Sequence, residues 1–309
     1  MGLRYSIKTS ALALIGLKVL DRPREVLKRA ADAGYDAIDV SGDPATITPK
    51  IARQMARIAA SFDLKVSAVG GAWGAWQVGE ERDLASSDDA ARTYAVGYAE
   101  KCIDLCVHLG APSFQLCAAP FRPQYPFSSV PIDTLRRNFV RSTKEICRYA
   151  AERGIDIGIE PINRFEGYPG FLNTVADAVS VVEEVGDSNL GVMVDLYRAN
   201  IEDPSVCSAI RTAGTKMMDV HLSDSNRHAP GTGHIDFVAI IQTLDEMQYQ
   251  AYLALGILPA TRDVETIRQG VLETSLSYMK QLERGLALQK SVYRRRTDLA
   301  LPHSHPDRS

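Results

Sequence analysis

The chain has 309 residues, 45% of them hydrophobic and 24% charged, with 35 Lys and Arg against 38 Asp and Glu for a formal net charge of −3. Those proportions describe a globular chain long enough for one large domain or two small ones, and the near-neutral balance argues against a nucleic-acid partner. No apolar run approaches the roughly 20 residues that a membrane span needs, so a membrane partner is not expected either.

In chain order, the segment "MGLRYSIKTSALALIGLKVL" has a basic flank and an apolar stretch, but polar residues interrupt it and no small-residue cleavage site follows. It reads as a first strand, "LRYSIK" from residue 3, and the loop after it. Seven more short apolar runs follow: "YDAIDVS" from 35, "LKVSAVGG" from 64, "SFQLCAA" from 113, "DIGIEPI" from 156, "LGVMVDL" from 190, "MMDVHLS" from 217 and "AYLALGIL" from 251. Each is bounded by glycine, proline or polar residues, as strands are. Amphipathic segments such as "REVLKRAADAG" and "TLRRNFVRSTKEICRYAAERG" lie between them, several ending in a glycine where a helix C-cap belongs.

Strand–helix units with continuous apolar strands argue for a parallel sheet covered by helices, and eight of them argue for closure into a (β/α)8 TIM barrel. A doubly wound open sheet would show a glycine-rich phosphate turn after its first strand, and "SIKTSALALIG" is no such turn. The expected organisation is α/β, one barrel domain over 1–288 with a C-terminal helical extension, and a flexible tail over 289–309. The proline-rich connection "PFRPQYPFSSVP", 120–131, reads as a lid or rim loop. Five scattered cysteines, at 102, 106, 117, 147 and 207, form no close metal-type pair and fit a reducing cytoplasm. Cys102 and Cys106, four apart, are expected to share a buried helix face.

The stretch "IGIEPINRFE", 157–166, puts a glutamate inside a strand. A lone buried carboxylate is costly unless something pairs with it. In a barrel of this kind the functional side chains sit at the carboxyl ends of the strands. Strand five ends at Glu160, strand six at Asp195, and strand seven carries His221. Neighbouring strands are about 4.8 Å apart, so three adjacent ends can converge. Two carboxylates and an imidazole suit Mn²⁺, Mg²⁺, Co²⁺ or Zn²⁺, the harder ions favoured by oxygen. Each residue also has a plainer role open to it: a carboxylate at a strand end as a helix N-cap or a partner for Arg164 or Arg227, a strand histidine as a hydrogen-bonded core residue.

The segments "GIEPINRFE", "VMVDLYRANIED", "VHLSDSNRHAPGTGHIDF" and "DLASSDDAARTYAVGYAEKCIDLCVHLGAP" resemble the sugar isomerase/epimerase superfamily of xylose-isomerase-like barrels, on its D-tagatose/D-psicose 3-epimerase side. The resemblance runs from about residue 3 to 285 and is most specific over 156–258. It implies a divalent metal, Mn²⁺ with Mg²⁺ or Co²⁺ as alternatives, on Glu160, Asp195 and His221. It also implies Glu160 as the catalytic base and substrate contacts from Glu166, Arg227 and the residue at 198. A small-molecule sugar or glycoside would be the substrate and a homo-oligomer, dimer or tetramer, the working state.

Two positions depart from the pattern. A ligand glutamate is expected at the end of strand eight, where "YLALGIL" has Gly256, and a substrate-touching histidine is expected where "LYRAN" has Arg198. Asn200 is kept. The tryptophan expected after strand four is missing, and Trp73 and Trp76 could wall the site or simply pack. The implied reaction removes a proton next to the carbonyl of a keto sugar, with a metal stabilising the enediolate and a carboxylate taking the proton. Without a side chain at Gly256 one face of that enediolate lacks its acid. The alternatives are a 3-oxo-glycoside or C-glycoside lyase subunit working by β-elimination, which would be hetero-oligomeric, and a non-catalytic sugar-binding subunit. A histidine-rich DNA-repair endonuclease on the same barrel is disfavoured by six histidines, two of them in the tail, and the absence of a basic balance.

Overall fold

Runs rich in Val, Ile and Leu pair into eight parallel strands: β1 Arg4–Lys8, β2 Ala37–Gly42, β3 Lys65–Gly71, β4 Ser113–Cys117, β5 Asp156–Glu160, β6 Leu190–Asp195, β7 Met217–Leu222 and β8 Tyr252–Leu255. They neighbour one another in chain order and β8 returns to β1, closing a barrel. The fold is the TIM barrel that the strand–helix alternation predicts. This computed structural model describes residues 2–73, 82–117, 130–167, 170–258 and 270–300. Trp76, most of the 120–131 connection and the tail histidines lie outside the described residues.

Among the described residues the α-helices are α1 Thr9–Leu14, α2 Pro23–Asp32, α3 Pro49–Ala60, α4 Asp89–Leu109, α5 Ile132–Ala151, α6 Val175–Val185, α7 Leu196–Glu202, α8 Val206–Ala213, α9 Phe237–Glu246 and α10 Ser275–Ala300. Their ends follow capping chemistry. Asp88 accepts the Ala90 N–H before α4, and Gly110, at φ 70°, closes it. Thr174 and Asp177 form a reciprocal capping box on α6. α1 stands where the sequence suggests a loop: alanine and leucine favour a helix, and Ala11 and Leu12 are buried beneath it. Helix α10 continues past residue 288 to Ala300. Cys102 and Cys106 share the buried face of α4. No helix among the described residues is long and apolar enough to cross a membrane.

Side chains alternate across a strand, so residues two apart share a face. On β7 this sends Asp219 and His221 into the barrel, and on β4 Gln115 and Cys117. Gln115 Nε2 donates to Asp39 on β2 and to Asp219 on β7, both at 2.7 Å, which ties non-adjacent strands together across the barrel interior.

Candidate functional site

Register brings the three expected ligands together. Asp195 pairs directly with His221 across β6 and β7, and Glu160 ends β5 beside Cys117 of β4. One donor atom each from Glu160, Asp195 and His221 lies within 4.8 Å of the others, and all three residues are buried. Asp195 fills its plainer role as well: Oδ1 caps α7 by accepting the Arg198 N–H at 3.0 Å, while Oδ2 stands 3.9 Å from His221 Nδ1.

The cation beside Glu160 is Arg198. Helix α7 starts at Asp195, so Arg198 sits one turn on and its side chain folds back over the strand ends. Its guanidinium pairs with Glu160, stands 3.6 Å from Asp195 Oδ2, and donates through Nε to Glu166 Oε2 at 3.0 Å. Burial draws its pKa down to about 9, which leaves it charged at neutral pH. Arg227 lies 3.2 Å from Glu166 and stacks 4.3 Å over the Tyr197 ring. Burial raises the Glu166 carboxyl, against the opposing pull of Arg227. Arg164 turns outward instead and clamps Glu202 at 2.6 Å.

Arg227 is placed by the loop after β7. The buried Asp224 carboxylate accepts N–H groups from Ser225 (2.7 Å), Gly231 (2.8 Å) and Ile235 (3.1 Å), and these outweigh burial to hold its pKa low. Arg227 itself adopts φ +62°, and its carbonyl accepts the Leu258 N–H at 2.7 Å, pinning the loop to the end of β8. Much of "DSNRHAPGTGHIDF" is thus a scaffold for one arginine.

The other edge of His221 was not legible in the sequence. Lys8, at the end of β1, lies 3.1 Å from His221 Nε2, 3.2 Å from Gln115 Oε1 and 3.3 Å from Asp39 Oδ1. Against the upward push of burial, the Lys8 charge brings Asp39 down to about 2. Burial, with charged Asp39 close by, pushes Asp219 up to about 8, so it carries a proton at neutral pH. Burial and Lys8 together lower His221, which keeps the ring neutral. The only sequence signal for this group is one charged or amide residue inside each of several strands.

A cavity of about 230 Å³ opens over these groups, lined among others by Lys8, Trp73, Glu160, Arg198, Arg227 and Gly256. Trp73 both walls it and packs, edge-on to Tyr98, with its Nε1–H on the Gln115 carbonyl at 3.2 Å. A Cβ on Gly256 would meet Lys8 Cδ at 2.9 Å, so the aliphatic stem of Lys8 takes the space of a strand-eight side chain. By residue type and distance the Glu160 cluster is a candidate metal site. As arranged it does not fit an ion: Arg198 already holds Glu160, and no fourth ligand projects from Gly256.

Residues 27–282 match the family described as xylose isomerase-like TIM barrel. The chain is 37% identical over 115 residues to a D-psicose 3-epimerase of Enterocloster bolteae, covering 37% of this chain and 38% of that one. It is 27% identical over 228 residues to an L-ribulose 3-epimerase of a Methylomonas species, covering 74% and 75%. The matched part thus spans about four tenths of the first of these relatives and three quarters of the second. A solved D-psicose 3-epimerase with D-tagatose from Clostridium cellulolyticum superposes with a TM-score of 0.77 at 21% identity, over 91% of this chain and 99% of that one. At that identity the superposition speaks for the fold.

Proposed function

The chain belongs to the xylose isomerase-like TIM barrel family, and from that premise we propose that it is a sugar isomerase or epimerase that removes a proton next to the carbonyl of a keto sugar. The observation that carries this reading is a buried carboxylate, Glu160, facing a sugar-sized cavity at the carboxyl ends of the strands with fixed cations around it.

Glu160 Oε1 is held by Arg198, while Oε2, among the described residues, accepts from the weak donor Cys117 Sγ at 3.3 Å. Oε2 is therefore the oxygen to take the proton. The C–H bond breaks, its electrons move onto the carbonyl oxygen, and the enediolate charge lies among guanidinium donors, which are worth most in a water-poor site. Arg227 and Glu166 bind and orient the sugar hydroxyls. With two arginines on one wall, an acidic or oxygen-rich keto sugar is the preferred class. Glu160, Asp195 and His221 would hold a Mn²⁺, Mg²⁺ or Co²⁺ ion if Arg198 withdrew and the His221 ring offered its Nδ1 lone pair, and a bound ion would supply Lewis-acid stabilisation of the same charge.

Because Gly256 leaves one face of the enediolate without a carboxylic acid, β-elimination from that intermediate is the second reading. Proton exchange into D₂O, followed by NMR with a panel of neutral, acidic and 3-keto sugars, tests both. One α-position should exchange, and exchange should slow by about 10²–10⁴-fold in Glu160→Gln. Epimer or unsaturated product then separates the two outcomes. No exchange with any sugar would refute the reading.

A further inference from the structure

We propose that Arg198 is the resident cation of this centre: its guanidinium holds the place of a divalent ion between Glu160 and Asp195, and Lys8 turns His221 from a ligand into a hydrogen-bond donor. This deepens the proposed function and rests on it for the identity of the reaction.

Three observations carry it. The first is the position of Arg198, whose guanidinium pairs with Glu160, lies 3.6 Å from Asp195 Oδ2 and binds Glu166 at 3.0 Å. It is buried with Glu160 and Asp195, so an added ion would have to share their oxygens with a fixed positive charge in a poorly screened site.

The second is the ring of His221. Around Nε2 the two nearest polar atoms are Gln115 Nε2 at 2.9 Å and Lys8 Nζ at 3.1 Å, with Asp39 Oδ2 farther at 3.3 Å. Both near neighbours can only donate. Gln115 gives its amide hydrogens to Asp39 and Asp219, so Lys8 is the donor to the ring. That assigns the ring proton to Nδ1, the nitrogen that stands 3.9 Å from both Glu160 and Asp195. A ligating nitrogen needs its lone pair, and this one presents N–H.

The third is Gly256. Lys8 Cδ lies 2.9 Å from where its Cβ would be, so the same lysine that sets the ring tautomer also fills the room for a fourth ligand. Lys8, Arg198 and Gly256 therefore act as one exchange: an ion and its fourth carboxylate are replaced by two side-chain cations and a glycine. The negative charge that develops on the substrate oxygen is met by guanidinium, a fork of donors suited to it.

The test is a titration of the full chain with Mn²⁺ alone, after chelator treatment, followed by calorimetry, electron paramagnetic resonance of free Mn²⁺ and thermal melting. The parent chain should bind no Mn²⁺. Arg198→Ala combined with Lys8→Met, which vacates the carboxylates and lets the ring proton move to Nε2, should gain one Mn²⁺ per chain, with Tm rising by roughly 5 °C at a hundredfold excess over Kd, and adding Asp195→Asn should remove the gain. If that double variant does not fold, Arg198→Gln with Lys8→Met keeps a donor to Glu160 and carries the same expectation. A parent chain that binds one Mn²⁺ lost in Asp195→Asn overturns the proposal, and so does a folded variant at both Arg198 and Lys8 that binds none. No substrate enters the titration. Exchange that survives chelator while the variant at both Arg198 and Lys8 gains no ion refutes the resident cation and keeps the isomerase, whereas the expected Mn²⁺ pattern without any exchange supports the cation and refutes the isomerase.

Discussion

The two edges of the His221 ring face two differently built clusters. On the Nδ1 side, Glu160, Asp195 and Glu166 meet Arg198 and Arg227 at the strand ends, and the outer members, Glu166 and Arg227, are 28% and 21% exposed. On the Nε2 side, Asp39, Asp219 and Gln115 meet Lys8 inside the barrel, where Asp39 is fully buried. Both clusters balance carboxylates with side-chain cations. The outer one opens on a cavity and can exchange partners with a substrate, whereas the inner one touches that cavity through Lys8 and Gln115 and keeps its carboxylates engaged in its own hydrogen bonds. The contrast separates chemistry from framework, and each substitution below presses on one side of it.

The largest effect belongs to the outer cluster. Glu160→Gln should slow α-proton exchange by about 10²–10⁴-fold, the usual contribution of a positioned acid–base group. Exchange unchanged by this substitution would place the base elsewhere. For the inner cluster the loss should appear in stability. Lys8→Met leaves the buried Asp39 carboxylate without its cation and should cost about 3–5 kcal/mol in urea unfolding. A cost under about 1 kcal/mol, within the range of exposed pairs, would mean that the inner cluster is no framework.

The protonation of Asp219 gives a third signal. Its folded pKa, about 8, stands above the ordinary 3.8, so the folded chain keeps a proton that the unfolded chain sheds. The stability from this group is fully present below about pH 4 and is lost as pH rises through 8. Asp219→Asn should remove that downward trend between pH 4 and 8, and an identical pH–stability curve would show that Asp219 is not the proton's holder.

The smallest effect couples the two clusters through Gly256. Gly256→Glu alone presses against the Lys8 stem and should cost about 1–3 kcal/mol, the range for overpacking. Lys8→Ala together with Gly256→Glu should cost measurably less than the two single changes added, because one relieves the other. Strict additivity would show that the two positions do not share space. Epimerisation should rise in the double variant and not in Gly256→Glu, since only the former has room for an acid on the second face.

The strand–helix alternation was legible because a buried parallel strand is apolar on both faces and stops at polar punctuation. Glu160, Asp195 and His221 were legible as a group for a related reason: each interrupts an apolar run at a strand end. Lys8, Asp39, Gln115 and Asp219 were not, since one polar residue in a strand also fits a solvent-facing position. The ion pairs of Glu160 were also ambiguous. The sequence offers Arg164 and Arg227 for it, and the turn of α7 delivers Arg198 instead, while Arg164 goes to Glu202.

By itself the sequence determined the barrel, the depth of Glu160, Asp195 and His221 on three adjacent strands, and the absence of a side chain at Gly256. These depend on local periodicity and on position within a strand, which the order of residues carries directly. Only the tertiary structure decided which charge meets which. Lys8 and His221 are 213 positions apart, and Gln115 and Asp219 are 104 apart. Such partners are chosen when eight strands close with a fixed stagger, because closure, and no local preference, sets which side chains share one buried layer.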